Sequence, residues 1–169
     1  MHELRQGEAP DAEELACLHV DVWRATYRDL ATPEAYRILG ADRRLPYWQE
    51  TLTSTAPETG AIVGVLSGQI SGVVSFGTAR EGMPTDAIEI KHLYVSEATQ
   101  GTGLGGMLLQ AVFDHFRKIG RFDVALAVVE ENAAARAFYR HLGGQETGRF
   151  VDPGPLWRSS NIVVRWALK

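Results

Sequence analysis

The sequence predicts one mixed α/β domain spanning residues 1–169: a twisted, mostly antiparallel mixed sheet of about six to seven strands flanked by about four helices. Three observations predict it. Three β-branched runs follow one another between about residues 61 and 95, the first two joined by the hairpin signal Ser67-Gly68-Gln69. A run of apolar residues at i, i+4 spacing, Leu104, Leu108, Val112, Phe116 and Ile119, then marks a long amphipathic helix between two strands. Finally, 169 residues with 45% hydrophobic and 22% charged content fit a single core, which excludes disordered, collagenous and coiled-coil classes.

Each element has a local reason. From Asp11 to about Leu30, Leu15, Leu18, Val22 and Ala25 recur at helical spacing behind the acidic turn Asp11, Glu13 and Glu14, which complements the helix dipole. A second helix is expected to start at Pro33 and break near Gly40, with Pro46 opening a continuation through Trp48 and Leu52. Strands follow at Ala61–Leu66, Ile70–Thr78 and Ile88–Val95, then a loop over Ser96–Gln100. The amphipathic helix stops at Gly120, and Phe122–Val129 reads as an apolar strand. Asn132–Leu142 is an alanine-rich helix with Asn as its cap and Gly143-Gly144 beyond its end. Thr147–Val151 and Asn161–Ala167 close the sheet around a loop holding Pro153 and Pro155.

Composition narrows the function classes. Seventeen Lys and Arg against twenty-one Asp and Glu give a net charge of -4, and the longest basic run is the pair Arg43-Arg44, which argues against nucleic acid as a partner. The single cysteine, Cys17, can form neither an intrachain disulfide nor a thiolate zinc site. His92, His115 and His141 lack metal-ligand spacing, so no metal is assigned. The amino terminus has no basic-then-apolar pattern, and no apolar run approaches the ~20 residues that span a bilayer; a soluble cytoplasmic protein with no membrane partner is expected.

The segment Gln100-Gly101-Thr102-Gly103-Leu104-Gly105-Gly106 lies between a strand and the first turn of a helix. Its glycines let the backbone approach a ligand and aim amides outward, which makes an anion site suited to phosphate. A P-loop is excluded because no Gly-Lys-Ser/Thr triplet occurs. The G-x-G-x-x-G spacing of Gly101, Gly103 and Gly106 fails as a dinucleotide fingerprint, since five residues separate Val95 from Gly101 and several strands precede it.

With Leu93-Tyr94-Val95 before it, the glycine segment resembles the signature of the GNAT superfamily of acyl-CoA-dependent N-acetyltransferases, Gln/Arg-x-x-Gly-x-Gly/Ala after a strand. Asn132-Ala133-Ala134-Ala135-Arg136-Ala137-Phe138-Tyr139 followed by Gly143 resembles the family's second segment, departing from it at Gly144, where an aromatic residue is usual. The resemblance implies a GNAT-like fold with acetyl-CoA, or another short acyl-CoA, as acyl donor. Leu93, Tyr94, Val95, Gln100, Gly101, Thr102, Gly103, Leu104, Gly105, Gly106, Asn132, Ala135 and Phe138 are then the cofactor-binding residues. Coenzyme A fits the physical reading too: amides for its pyrophosphate, and a strand edge for the peptide-like pantetheine arm. Asn132 could also serve only as a helix cap.

Acetyl transfer to an amine needs a neutral amine, a stabilised carbonyl oxygen and a protonated leaving thiolate. The resemblance makes Glu89 the candidate base and Tyr139 the candidate acid. Alternation puts Glu89 on one strand face with Lys91 and Leu93, opposite Ile88 and Ile90, so it could equally be a solvated carboxylate. Tyr139 could simply pack. His19, Trp23 and Tyr27 form a second stripe on the first helix, read either as acceptor contacts or as core. Trp157 and Arg158 read as loop decoration, with contact to the acceptor or to a second subunit as the alternative. The expected partner is an amine acceptor, with a homodimer left open. A non-catalytic acyl-CoA sensor is the rival function, and it would need neither Glu89 nor Tyr139.

Overall fold

The structure, a computed structural model, describes all residues from Met1 to Lys169. Seven strands form one sheet in the order β1-β2-β3-β4-β5-β7-β6: β1 (Glu3–Gln6), β2 (Gly60–Leu66), β3 (Gln69–Thr78), β4 (Ile88–Val95), β5 (Asp123–Val129), β6 (Gln145–Val151) and β7 (Ser160–Ala167). Five helices cover it: α1 (Ala12–Tyr27), α2 (Pro33–Ile38), α3 (Ala41–Thr53), α4 (Leu104–Lys118) and α5 (Ala133–His141). The break expected near Gly40 is present and divides this region into two helices. Leu39 and Gly40 leave helical geometry, so α2 ends there and α3 begins at Ala41. Pro46 lies inside α3 rather than opening it. There it removes the backbone hydrogen bond that an amide at this position would give to the Asp42 carbonyl.

Strands β1 to β4 are antiparallel neighbours, β5 and β7 pair antiparallel, and only β4 and β5 run parallel. The α4 crossover between β4 and β5 accounts for that exception. One face carries the larger core, where α4 (Leu108, Val112, Phe116) meets Val74, Phe76, Ile88 and Ile90. The opposite face carries α1 and α3, with Leu15, Val22 and Trp48 against Val63 and Val73. Gly144 leaves no room for a side chain: a Cβ there would sit 2.6 Å from Val164 and 2.7 Å from the Trp166 ring. Trp166 from β7 occupies the space an aromatic residue at 144 would need.

Two irregularities in β4 position the site. The β3–β4 register runs Ser75↔His92 then Phe76↔Ile90, so Lys91 is an extra residue, a β-bulge. The bulge corrects the expected alternation. Leu93 and Val95 pack with Ile88 and Ile90 on the α4 side, not on the face shared by Glu89 and Lys91. His92 and Tyr94 turn instead toward α1 and α3. In addition, β4 and β5 pair only from Ile88 to Ile90, after which they separate.

Candidate active site

The separation of β4 and β5 opens a cleft of about 690 Å³, lined by Lys91–Val95 on one side and Leu126–Val128 on the other. Beyond Ile90, β4 has no strand partner on this side, so its edge is free to pair with an extended amide chain. At the mouth lies the glycine segment. Gly101 and Gly103 adopt φ of 76° and 87°, the left-handed region in which side chains are strained, and α4 starts directly after them. The amides of Gln100, Thr102 and Met107 bond to backbone carbonyls, whereas those of Gly101, Gly103, Leu104, Gly105 and Gly106 have no backbone acceptor. Five free donors at a helix start fit a pyrophosphate in number and in sign of charge.

The cofactor-binding residues expected from the sequence meet around this cleft. Leu93, Tyr94, Val95, Gln100, Gly101, Gly103, Leu104, Gly105, Gly106, Asn132, Ala135 and Phe138 line it; Thr102 does not, its hydroxyl donating to the Thr99 carbonyl at 2.6 Å. Asn132 combines both readings. Its Oδ1 caps α5 by accepting from the Ala135 amide at 3.2 Å, while its side chain also faces the cleft beside the Tyr27 hydroxyl. Gly105 packs closely under Phe138: a Cβ there would lie 3.3 Å from the ring, a tight contact.

Tyr139 lines the cleft, packed edge-on against Trp166, with no hydrogen bond from its hydroxyl to the protein. Burial, with Tyr27 nearby, pushes its pKa further above the ordinary phenol range, so the proton stays on the oxygen.

Glu89 is placed differently from expectation. It is 0% exposed rather than solvated, and it lines neither the cleft nor the neighbouring cavity. Its Oε2 accepts from the Arg80 amide at 2.9 Å and from Lys91 Nζ at 2.7 Å. Oε1 lies 3.0 Å from Arg80 Nε but off the N–H direction, charge-paired without a hydrogen bond. A carboxylate enclosed by two cations is not positioned to take a proton directly from an acceptor.

A second cavity, about 410 Å³, adjoins the cleft, and Tyr27, Lys91, His92, Tyr94 and Ala127 line both. The stripe His19, Trp23 and Tyr27 from α1 forms its wall, although His19 and Trp23 are 1% and 7% exposed. Trp157 is more than decoration. Its ring packs edge-on against Trp23 and Tyr27, with centroids 6.1 and 5.3 Å away, and the Thr32 hydroxyl holds this loop by donating to the Leu156 carbonyl at 2.9 Å. Trp48 Nε1 donates to His19 Nδ1 at 3.3 Å, which leaves the His19 proton on Nε2. Burial lowers the pKa of His19 to about 3 and that of His92 well below its usual value, with Arg44 adding to both, so both rings are neutral.

Arg43, Arg44, Arg80, Lys91 and His92 also line this cavity, and the sequence reading missed them as site residues. The pair Arg43-Arg44 was visible as the longest basic run, but nothing local revealed which surface it faces.

Comparison with known proteins agrees with this geometry. The acetyltransferase (GNAT) family model matches residues 17–143. A probable N-acetyltransferase of Mycobacterium tuberculosis is 28% identical over 157 residues, covering 90% of this chain and 85% of its own. The L-methionine sulfoximine/L-methionine sulfone acetyltransferase of Salmonella typhimurium is 28% identical over 119 residues, 70% of this chain and 67% of its own. Among solved structures, an N-acetyltransferase of Thermoplasma acidophilum in complex with coenzyme A superimposes with a TM-score of 0.76 at 15% identity, covering 99% of both chains. A putative acetyltransferase of Salmonella typhimurium with acetyl-CoA gives 0.74 at 21% identity, covering 100% of this chain and 95% of its own. With a family model spanning most of its length and a fold shared from end to end, the chain belongs to the acetyltransferase (GNAT) family.

Proposed function

We propose that the protein is an N-acetyltransferase that moves the acetyl group of acetyl-CoA to the primary amine of a small acceptor by direct attack on the thioester. The observation that carries this reading is the continuity of the two cavities. The cleft with the free glycine amides and the aromatic cavity share Tyr27, Lys91, His92, Tyr94 and Ala127, so a donor in one and an acceptor in the other meet at that wall. The relatives named for L-methionine sulfoximine and L-methionine sulfone support a small-molecule acceptor.

When bound, acetyl-CoA supplies the acetyl thioester. The amides of Gly101 and Gly103–Gly106 would hold its phosphates, and the free edge of β4 would orient the pantetheine arm. Tyr139, protonated at rest, would give its proton to the sulfur as the C–S bond breaks. The proton that the attacking nitrogen loses as the C–N bond forms would return to the phenolate through water, so that the free thiol leaves and the phenol is restored. Its raised pKa makes it a weaker acid, but a thiolate in the same apolar cleft is also a stronger base, so the match is preserved. Arg80 and Lys91 make the acceptor cavity positive and disfavour an ammonium there, which favours the neutral amine that attack requires. Glu89, buried behind them, is a positioning residue: it fixes Arg80 and Lys91 at the bulge and takes no proton itself.

The test is release of free thiol from acetyl-CoA by the purified protein, screened against a panel of primary amines, with calorimetry of CoA and NAD beside it. Thiol release with at least one amine, and CoA bound more tightly than NAD, is the expected result. CoA binding with no release from any amine would point to a sensor, and equal affinity for CoA and NAD would overturn the cofactor assignment.

A further inference from the structure

The acceptor cavity has a charge the whole chain does not. The protein carries a net charge of -4, yet the cavity is lined by Arg43, Arg44, Arg80 and Lys91 and by a single acid, Asp152. Three of these charged groups are already engaged. Glu89 answers both Arg80 and Lys91 from behind the wall, and Asp152 accepts the Gly154 amide of its own loop at 2.9 Å. Arg43 and Arg44 have no carboxylate within ion-pair distance.

Arg44 is the more telling of the two. Its guanidinium lies 5.6 Å from the centre of the Trp23 ring, and its Nε is buried without a hydrogen-bond partner. Burial lowers its pKa, but a guanidinium does not lose its proton in a protein. A partly desolvated, permanently charged fork with an unanswered donor is costly to keep unless something with negative charge answers it. Among the donors available, arginine is also the one that matches a carboxylate with two parallel bonds. Arg44 lines the acceptor cavity together with His19, His92 and Tyr94, and His92 and Tyr94 also line the donor cleft, at the wall where the two cavities meet. An anion held there would face the wall that the acceptor cavity shares with the donor cleft.

We infer that Arg44 is the specificity-determining residue of the acceptor cavity, receiving the carboxylate of an acceptor whose primary amine is a few bonds away, as in an α-amino acid. The inference rests on the acetyl-transfer reading above. Trp23, Tyr27 and Trp157 supply an apolar wall for the remainder of the acceptor. An acceptor anion also balances the positive cavity, so the charge that favours the neutral amine does not repel the acceptor as a whole.

The experiment compares matched acceptors: L-phenylalanine and L-leucine, their amides, and the decarboxylated amines phenethylamine and isoamylamine. 2-Aminoethylphosphonate and taurine are added to rank other oxyanions. With wild type, kcat/KM for the amino acids should exceed that of the amides and amines by about 10² or more, because a site built for a polar group rejects analogues lacking it. Arg44→Gln should collapse this ratio to within a few-fold, chiefly through KM for the carboxylates, and Arg44→Lys should recover part of it. A wild type that prefers the neutral amines, or an Arg44→Gln variant that keeps the preference, would overturn the inference while leaving acetyl transfer intact. If no acceptor is turned over, acetyl transfer fails, and calorimetry of L-phenylalanine with the CoA-loaded protein still decides. Binding lost in Arg44→Gln supports the anion receptor, and equal binding in both proteins overturns it.

Discussion

At the residue scale, Tyr139 and Glu89 show how the same kind of sequence signal can lead to two outcomes. Both were identified from motif position. Tyr139 lines the cleft with a free, protonated hydroxyl, so the role it was assigned stays physically available. Tyr139→Phe removes only that hydroxyl from a ring held by Trp166 and Phe138, so kcat should fall about 10²-fold or more while acetyl-CoA affinity in calorimetry stays within a few-fold. An unchanged kcat with a good acceptor would reduce Tyr139 to a packing residue. Glu89 could not be judged from sequence because its surroundings are non-local. Arg80, from the loop after β3, and the bulged Lys91 enclose it, and neither the bulge nor the loop leaves a mark in the alternation of Ile88, Glu89 and Ile90.

At the scale of elements, the glycine-flanked start of α4 is set by a pocket in the sheet. Gly64 on β2 and Gly72 on β3 are register partners, and Leu104, the first residue of α4, fills the space above both. A Cβ on Gly64 would lie 2.6 Å from Leu104 Cδ1, and one on Gly72 2.9 Å from its Cδ2. Those two glycines thus seat the helix whose free amides are proposed as the phosphate cradle. Gly64→Ala should cost roughly 1–3 kcal/mol of stability by overpacking and should also weaken CoA binding, as the start of α4 shifts. Adding Leu104→Ala should relieve part of the strain, a non-additivity readable in a double-mutant cycle of denaturant midpoints. Additive costs would mean that Leu104 turns aside and the seat does not control the cradle. The elements themselves were legible because their signals are local: Asn132 as a cap, the i, i+4 run of α4, the Ser67-Gly68 turn. The strand at Thr147–Val151 and the break near Gly40 were legible in the same way; the bulge at Lys91 and the start of α3 at Ala41 rather than Pro46 were not, since pairing with β3 and packing of Trp48 decide them.

At the scale of the whole molecule, no helix is long and apolar enough to cross a membrane, and the two cores on opposite faces meet the active site through one aromatic cluster. His19, His92, Trp48 and Tyr94 pack together there, the two imidazoles 4.5 Å apart between α1 and β4. Keeping both imidazoles neutral couples the site to stability. In the folded protein His19 takes a proton only near pH 3, whereas in the unfolded chain it does so near 6.5. Between these values the unfolded state binds more protons, so stability rises with pH and is lost on acidification from about 6.5 downward. His92 acts in the same direction, since burial and the facing charges of Arg44, Arg80 and Lys91 all oppose its protonation. At pH 5, about 1.5 units below the ordinary histidine value, His19 alone should have removed about 2 kcal/mol. Carboxylates such as Asp11, whose pKa is lowered by its bond to Arg5, contribute mainly below that pH. Melting temperatures recorded from about pH 7 to pH 5 therefore isolate the histidines. Wild type should lose stability steadily across this range, and His19→Gln, which retains an acceptor for Trp48 but no titratable group, should show a shallower slope. Equal slopes would mean that the ring is solvated when charged, and that the wall between the two cavities opens at mild acidity instead of resisting it.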